Sequence, residues 1–308
     1  MLPRARLGAV AAYRFSNLTS AIADRRSPLR RYLDEHFPHV RAVQRAYREP
    51  PRRLLVPGGP SDPAAIGAAY DLGVRFVVDP THSPSIALYG FVTEPRLLAV
   101  VDAVVSRAQS AAAHQDDAEA RDDLARACWA LAWCTDVYRS GGIRAESPLA
   151  PLLAAGSFTR HALLDLAGPD ARRQLEELAA LSRQHLLPHL RRPVALGPTF
   201  EASALCAADA DLIAGQLLVD LKTRLGPKDK ETGRRSDRLR TADLYQLLAY
   251  VLFDRDDRFS IDSVGIYSAR YAALTTWPLQ QLLDDLAGRT VDLPRARQQV
   301  WELLGGSR

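Results

Sequence analysis

The run QLLVDLKT, residues 216–223, sets an aspartate and a lysine two positions apart inside an otherwise apolar extended stretch. Successive side chains of a strand point to opposite faces, so Asp220 and Lys222 emerge together while Val219 and Leu221 share the other face. Leu217, Leu218, Val219 and Leu221 give the run the character of a central strand, where a charged pair needs a partner or a metal ion. The preceding ADLI carries Asp211, and Ala214-Gly215 predicts a tight turn that folds the two strands antiparallel, with Asp211 near Asp220. Asp209 has the same alternation phase and competes with or assists Asp211; Glu201 and Glu231 are weaker alternatives nearer loops.

Two hard carboxylates with backbone oxygens can hold Mg²⁺ or Mn²⁺, which would polarise a phosphate and lower the pKa of a bound water. Lys222 would orient or help deprotonate that water and offset charge developing on the phosphate. Of 40 Lys plus Arg only three are lysines, Lys222, Lys228 and Lys230, so an ammonium at 222 stands out in a chain that otherwise uses arginine. Downstream, TADLYQLLAYVLFD reads as a helix capped by Thr241, with Gln246 and Tyr250 four residues apart on one face. The Gln246 amide would bond Lys222 or the attacking water, and Tyr250 would contact a phosphate or stack on the substrate. Between them lies TRLGPKDKETGRRSDRLR, whose Arg224, Lys228, Lys230, Arg234, Arg235 and Arg238 predict a basic loop suited to phosphates without sequence readout.

Three regions are expected. Residues 1–93 hold N-terminal helices, interrupted at Pro38, and a first core helix opened by Ser61 or Asp62 and Pro63; residues 94–190 form a helical insertion or lid; residues 191–308 form the catalytic core. In the helical block, expected helices run over 95–112, 116–139, 147–154, 158–166 and 170–190. FSIDSVGIYSARY reads as a further strand, followed by helices from Pro278 and from Pro294, the latter capped by Asp292. The mixture predicts an α/β fold with a central mixed sheet flanked by helices. No apolar run is long enough to span a bilayer, and Arg14 interrupts the short apolar patch of MLPRARLGAVAAYRF, which argues against a secretion signal. Cys128, Cys134 and Cys206 lack metal-knuckle spacing and read as reduced thiols of a cytoplasmic protein. His185 and His189, although four apart, are separated by Pro188 and read as surface or core-packing residues. The net charge of +4 favours a polyanionic partner only mildly.

The ordered set Asp211, Asp220-Leu221-Lys222 and Gln246-Leu-Leu-Ala-Tyr250, within forty residues, resembles the PD-(D/E)xK nuclease superfamily, particularly its RecB-like exonuclease branch. The resemblance implies a restriction-endonuclease-like core, metal binding by Asp211 and Asp220, general-base or water-positioning work by Lys222, and site support by Gln246 and Tyr250. It also implies an earlier helix that brings a further residue just after a glycine. Gly67-Ala-Ala-Tyr70-Asp71 is the best local match: Tyr70 stands where a histidine is expected, Asp71 could reach the metal, and Arg75 could reach a phosphate or simply pair with Asp71. The function so implied is Mg²⁺-dependent cleavage of DNA, in repair or in defence against phage. The alternative is a catalytically silent nuclease-fold protein that binds nucleic acid or assembles with proteins. A protein partner would dock on the helical insertion.

Overall fold

The computed structural model describes residues 13–307. Most of the N-terminal patch weighed as a secretion signal lies outside the described residues. Short helices α1 (Leu18–Ala23), α2 (Pro28–His36) and α3 (Val40–Arg48) lead, with Pro38 in the break between the last two. Helix α4 (Pro63–Val78) starts where Asp62 accepts from the Ala64 amide and Pro63 fills the first turn, a position that has no intrahelical N–H partner to lose. There follow α5 (Ser85–Tyr89), α6 (Pro95–Ala112), α7 (Ala118–Ser140), α8 (Leu149–Ala154), α9 (Arg160–Leu164) and α10 (Pro169–His185). Helix α10 stops five residues short of the expected 190, because Pro188 turns the chain into a separate 3₁₀ turn. His185 and His189 therefore do not share one helical face.

The remainder carries the sheet: β1 (Val194–Leu196), β2 (Leu212–Ala214), β3 (Leu217–Lys222), α11 (Thr241–Phe253), β4 (Ser263–Ser268), β5 (Ala273–Pro278), α12 (Leu279–Ala287) and α13 (Leu293–Leu303). Strand order is β1-β2-β3-β4-β5, antiparallel except for the central β3–β4 pair, whose parallel register requires the crossover through α11. The β2–β3 turn is the expected tight one, with Gly215 at φ 61°, a left-handed conformation that favours glycine. Strand β5 has no counterpart among the expected elements, although Thr275, Thr276 and Trp277 are strand-favouring types; it pairs antiparallel with β4.

Alternation along the strands divides the core in two. Leu212, Ala214, Val219 and Tyr267 face α4–α10, whereas Ile213, Leu218, Val264 and Ile266 face α11–α13 together with α1 and α2. The molecule is thus an α/β fold in three layers, with a five-stranded mixed sheet between helices. The helices of 94–190 share one hydrophobic cluster with α4 and with the sheet. Among the described residues no helix is long and apolar enough to cross a membrane. All three cysteines are buried and unpaired.

Candidate active site

One step beyond the Leu212↔Val219 pair, the β2–β3 ladder sets Asp211 opposite Asp220. Like charges at that spacing repel, and the chain relieves them only in part. The Asp211 carboxylate accepts from the Leu221 amide at 2.5 Å, which ties it to the β3 backbone midway between Asp220 and Lys222. By strand phase Asp220 and Lys222 lie on the Leu218 side of the sheet, the side covered by α11.

Asp220 is 1% exposed. Lys222 Nζ stands 2.5 Å from its Oδ2, close enough to offset charge, yet neither Asp220 oxygen has a hydrogen-bond donor in acceptable geometry. Burial pushes the Asp220 carboxyl up to about 7; Lys222 opposes the shift and Asp211 adds to it. Asp211 is raised for the same first reason, burial, against the pull of Lys222. For Lys222, burial disfavours the ammonium, but Asp220, Asp211 and Asp243 outweigh it and raise the pKa above the usual lysine value. Lys222 is therefore a firmly held cation in this state of the site.

Helix α11 completes a hydrogen-bonded chain. Lys222 Nζ donates to Gln246 Oε1 at 3.0 Å, and Gln246 Nε2 donates to the Tyr250 hydroxyl at 2.6 Å. Tyr250 is 3% exposed and packs on Phe200, so it supports Gln246 from beneath and offers no stacking surface. The helix starts differently from expectation: Arg240, not Thr241, is the N-cap, and the Asp243 carboxylate accepts from the Arg240 amide. Asp243 also holds Arg224 in a two-pronged pair at 2.6 and 2.5 Å, which commits a guanidinium expected to meet phosphate. Sequence reading missed Asp243 as part of the site, although an aspartate three residues past the helix boundary is a capping signal.

Helix α4 brings Asp71 and Arg75 to the same corner. A Cβ on Gly67 would lie 3.1 Å from Thr223 Oγ1, so the glycine allows α4 to approach the end of β3 closely. Asp71 and Arg75 form an ion pair at 2.7 Å, and the guanidinium also lies in the field of Asp211 and Asp209. Burial raises Asp71 to about 7, opposed by Arg75 and reinforced by Asp211. Gly197, at φ 62°, leaves room for the Arg75 guanidinium, which any side chain there would strike. Tyr70 instead turns into the helical layer and bonds Ser182 at 2.6 Å. Glu201 sits near Asp254, and Glu231 is on the exposed part of the 223–240 segment.

In that segment Lys228, Lys230, Arg234 and Arg238 are exposed, while Arg235 donates to the Gly226 carbonyl. Its one ladder contact is an isolated Lys228↔Arg235 bridge. Behind it, Arg270 is 2% exposed and donates to the carbonyls of Val56, Pro57 and Thr223 and to Gln174 Oε1. This buried guanidinium, invisible in sequence, fixes the residue that follows Lys222.

The donor set fits a hard cation in one respect: the two Asp220 oxygens are buried without a hydrogen-bond donor, beside a second carboxylate. Among the described residues, however, no three His, Cys, Asp or Glu side chains converge as a ready-made ligand group. Mg²⁺ commonly takes one or two protein carboxylates and completes its shell with waters and substrate oxygens. No family model, curated protein or solved structure compared with the chain matches it.

Proposed function

We propose that the chain is a metal-dependent nuclease of the PD-(D/E)xK type, of the RecB-like exonuclease branch, with a restriction-endonuclease-like core and DNA as its substrate. The observation that carries this reading is the buried Asp220 carboxylate, without a hydrogen-bond donor, between Asp211 and the Lys222–Gln246–Tyr250 chain. Asp211 and Asp220 would hold Mg²⁺ or Mn²⁺, with Asp71 or Asp209 near enough to assist through water. The ion supplies Lewis-acid activation of the phosphate and of a water. Lys222, kept cationic by its carboxylate neighbours, holds the water in place and offsets charge developing on the phosphate. Gln246 fixes the ammonium, and Tyr250 fixes Gln246. Lys228, Lys230, Arg234 and Arg238 would hold the phosphate backbone beside the site.

Purified protein with Mg²⁺ or Mn²⁺, incubated with labelled single- and double-stranded DNA and with RNA, is expected to shorten DNA. A Lys222→Ala variant that keeps its fold and cuts as fast as the parent would overturn the mechanism. A second reading, a silent nuclease-fold protein that binds nucleic acid or a protein partner, has one observation in its favour: the absence, among the described residues, of a preassembled three-ligand group. It predicts binding without cleavage and no functional loss on replacing Asp220.

A further inference from the structure

Helix α3 lies outside the site, and nothing in the mechanism uses it. Its buried side is formed by Val43 and Tyr47. At 100° per residue, Arg41, Arg45 and Arg48 fall within a 60° arc on the exposed side, as one stripe about 10 Å long at 1.5 Å rise per residue. Among the described residues none of the three has a carboxylate within ion-pair distance; Arg48 donates only to the Gln44 carbonyl of its own helix. Three unpaired guanidiniums in a row repel one another, and such a face is stable chiefly where solvent or a polyanion covers it.

The stripe also has a direction. Gln44, flanked by Arg41 and Arg48 at i−3 and i+4, donates to Thr241 Oγ1 at the start of α11. Tyr47 donates to Asp237 at 2.6 Å, and Arg52 pairs with the same carboxylate at 3.0 Å while lying over the Tyr47 ring. These contacts consume the acid of the 223–240 segment nearest α3. Helix α3 is thereby fastened, through Gln44 and through its buried side at Tyr47, to the start of α11 and to the segment that carries the exposed Arg234 and Arg238.

We infer that the Arg41–Arg45–Arg48 face of α3 binds the phosphate backbone of DNA and extends the basic 223–240 segment into a track that leads a strand to or from the Asp220 corner. The inference rests on the nuclease reading for the choice of DNA as polyanion, but its test does not require cleavage. Binding of a fluorescein-labelled 30-base-pair duplex is measured by anisotropy over 50–300 mM KCl, with EDTA present. Each phosphate contact contributes about 0.9 to the slope of log K against log salt, so Arg41→Gln, Arg45→Gln and Arg48→Gln combined should lower that slope by about two to three. The corresponding triple lysine variant should keep it. Hydrolysis of bis-p-nitrophenyl phosphate with Mg²⁺ should be unchanged in both. An unchanged slope in the glutamine variant, equal loss in the lysine variant, or no salt-dependent binding by the parent would each overturn the inference. A slope that falls as expected in a protein with no hydrolytic activity leaves the α3 surface standing and removes only the nuclease reading.

Discussion

Lys222 and Gln246, twenty-four residues apart, meet at 3.0 Å with the lysine ammonium as donor and the amide oxygen as acceptor. The contact gives the two residues different weights. Lys222→Ala removes the cation itself and should lower Mg²⁺-dependent cleavage by about 10²-fold or more, the range expected for a group acting directly on the reacting proton or charge. Lys222→Arg should not restore it, because a planar fork cannot occupy a point-charge site between Asp220 and Gln246. Gln246→Ala leaves the cation but frees it to move, and should cost about tenfold. Steady-state rates on a labelled duplex distinguish the three; a Gln246→Ala rate equal to the parent's would show that the hydrogen bond does not position Lys222.

Asp220 is expected to cost stability while serving the site. Its carboxyl titrates near 7 in the fold against an ordinary value of 3.8, so between those values the folded protein binds more protons than the unfolded chain. Stability of the metal-free protein should fall as pH rises through that window, and Asp71, also raised to about 7, adds to the decline. Asp220→Asn should flatten the profile and, at pH 8, stabilise the protein by on the order of 1 kcal/mol while abolishing cleavage. Urea unfolding in EDTA from pH 4 to 8 measures both effects; a variant less stable than the parent at pH 8 would contradict the account.

Divalent metal should reverse that penalty. An ion that binds only the folded state raises stability by about 2.7 kcal/mol at a hundred times its dissociation constant. Because metal competes with protons at Asp220 and Asp211, the gain on adding Mg²⁺ should be larger at pH 8 than at pH 6, and absent in Asp220→Asn. Melting curves with and without Mg²⁺ at the two pH values report it directly.

His82, behind the Arg75 edge of the site, provides an acid-side dependence. Burial, helped by nearby Arg75, lowers its pKa from 6.5 to about 4, and its Nε2 is buried without a partner. The ring stays neutral in the fold while the unfolded chain takes up a proton, so stability should fall as pH drops from 6.5 to about 4 and then level off with respect to this group. His82→Leu should remove that part of the acid sensitivity.

Arg270 should be among the most damaging positions to truncate. Arg270→Ala strips a donor from three carbonyls and one amide oxygen, and with charged-donor bonds involved the loss is expected to be about 3 kcal/mol or more. Arg270→Lys recovers only part, since an ammonium cannot span the same acceptors. Equilibrium unfolding gives the difference.

The elements around the site were legible where local chemistry dictates them. Apolar alternation and Ala214-Gly215 specify the β2–β3 hairpin, and that hairpin alone sets Asp211 opposite Asp220. Asp62 with Pro63, and Asp292 with Pro294, mark helix starts that the structure keeps. What depended on distant partners was not legible. The partner of ALTTWP, strand β4, could not be read from the chain, and the four acceptors gathered by Arg270 come from three separate stretches of it. Arg224 illustrates the same limit: read along the chain it is one basic residue among several, but folding sets it against Asp243 and removes it from phosphate duty.

That Arg224–Asp243 pair joins the two roots of the segment between β3 and α11, next to Lys222 on one side and three residues before Gln246 on the other. With its ends fastened there, and with Leu225, Asp237 and Leu239 also tied to the body of the protein, the exposed run 227–234 is the part free to vary. Changes of length or charge confined to that run should leave the distance from lysine to glutamine where the clamp holds it.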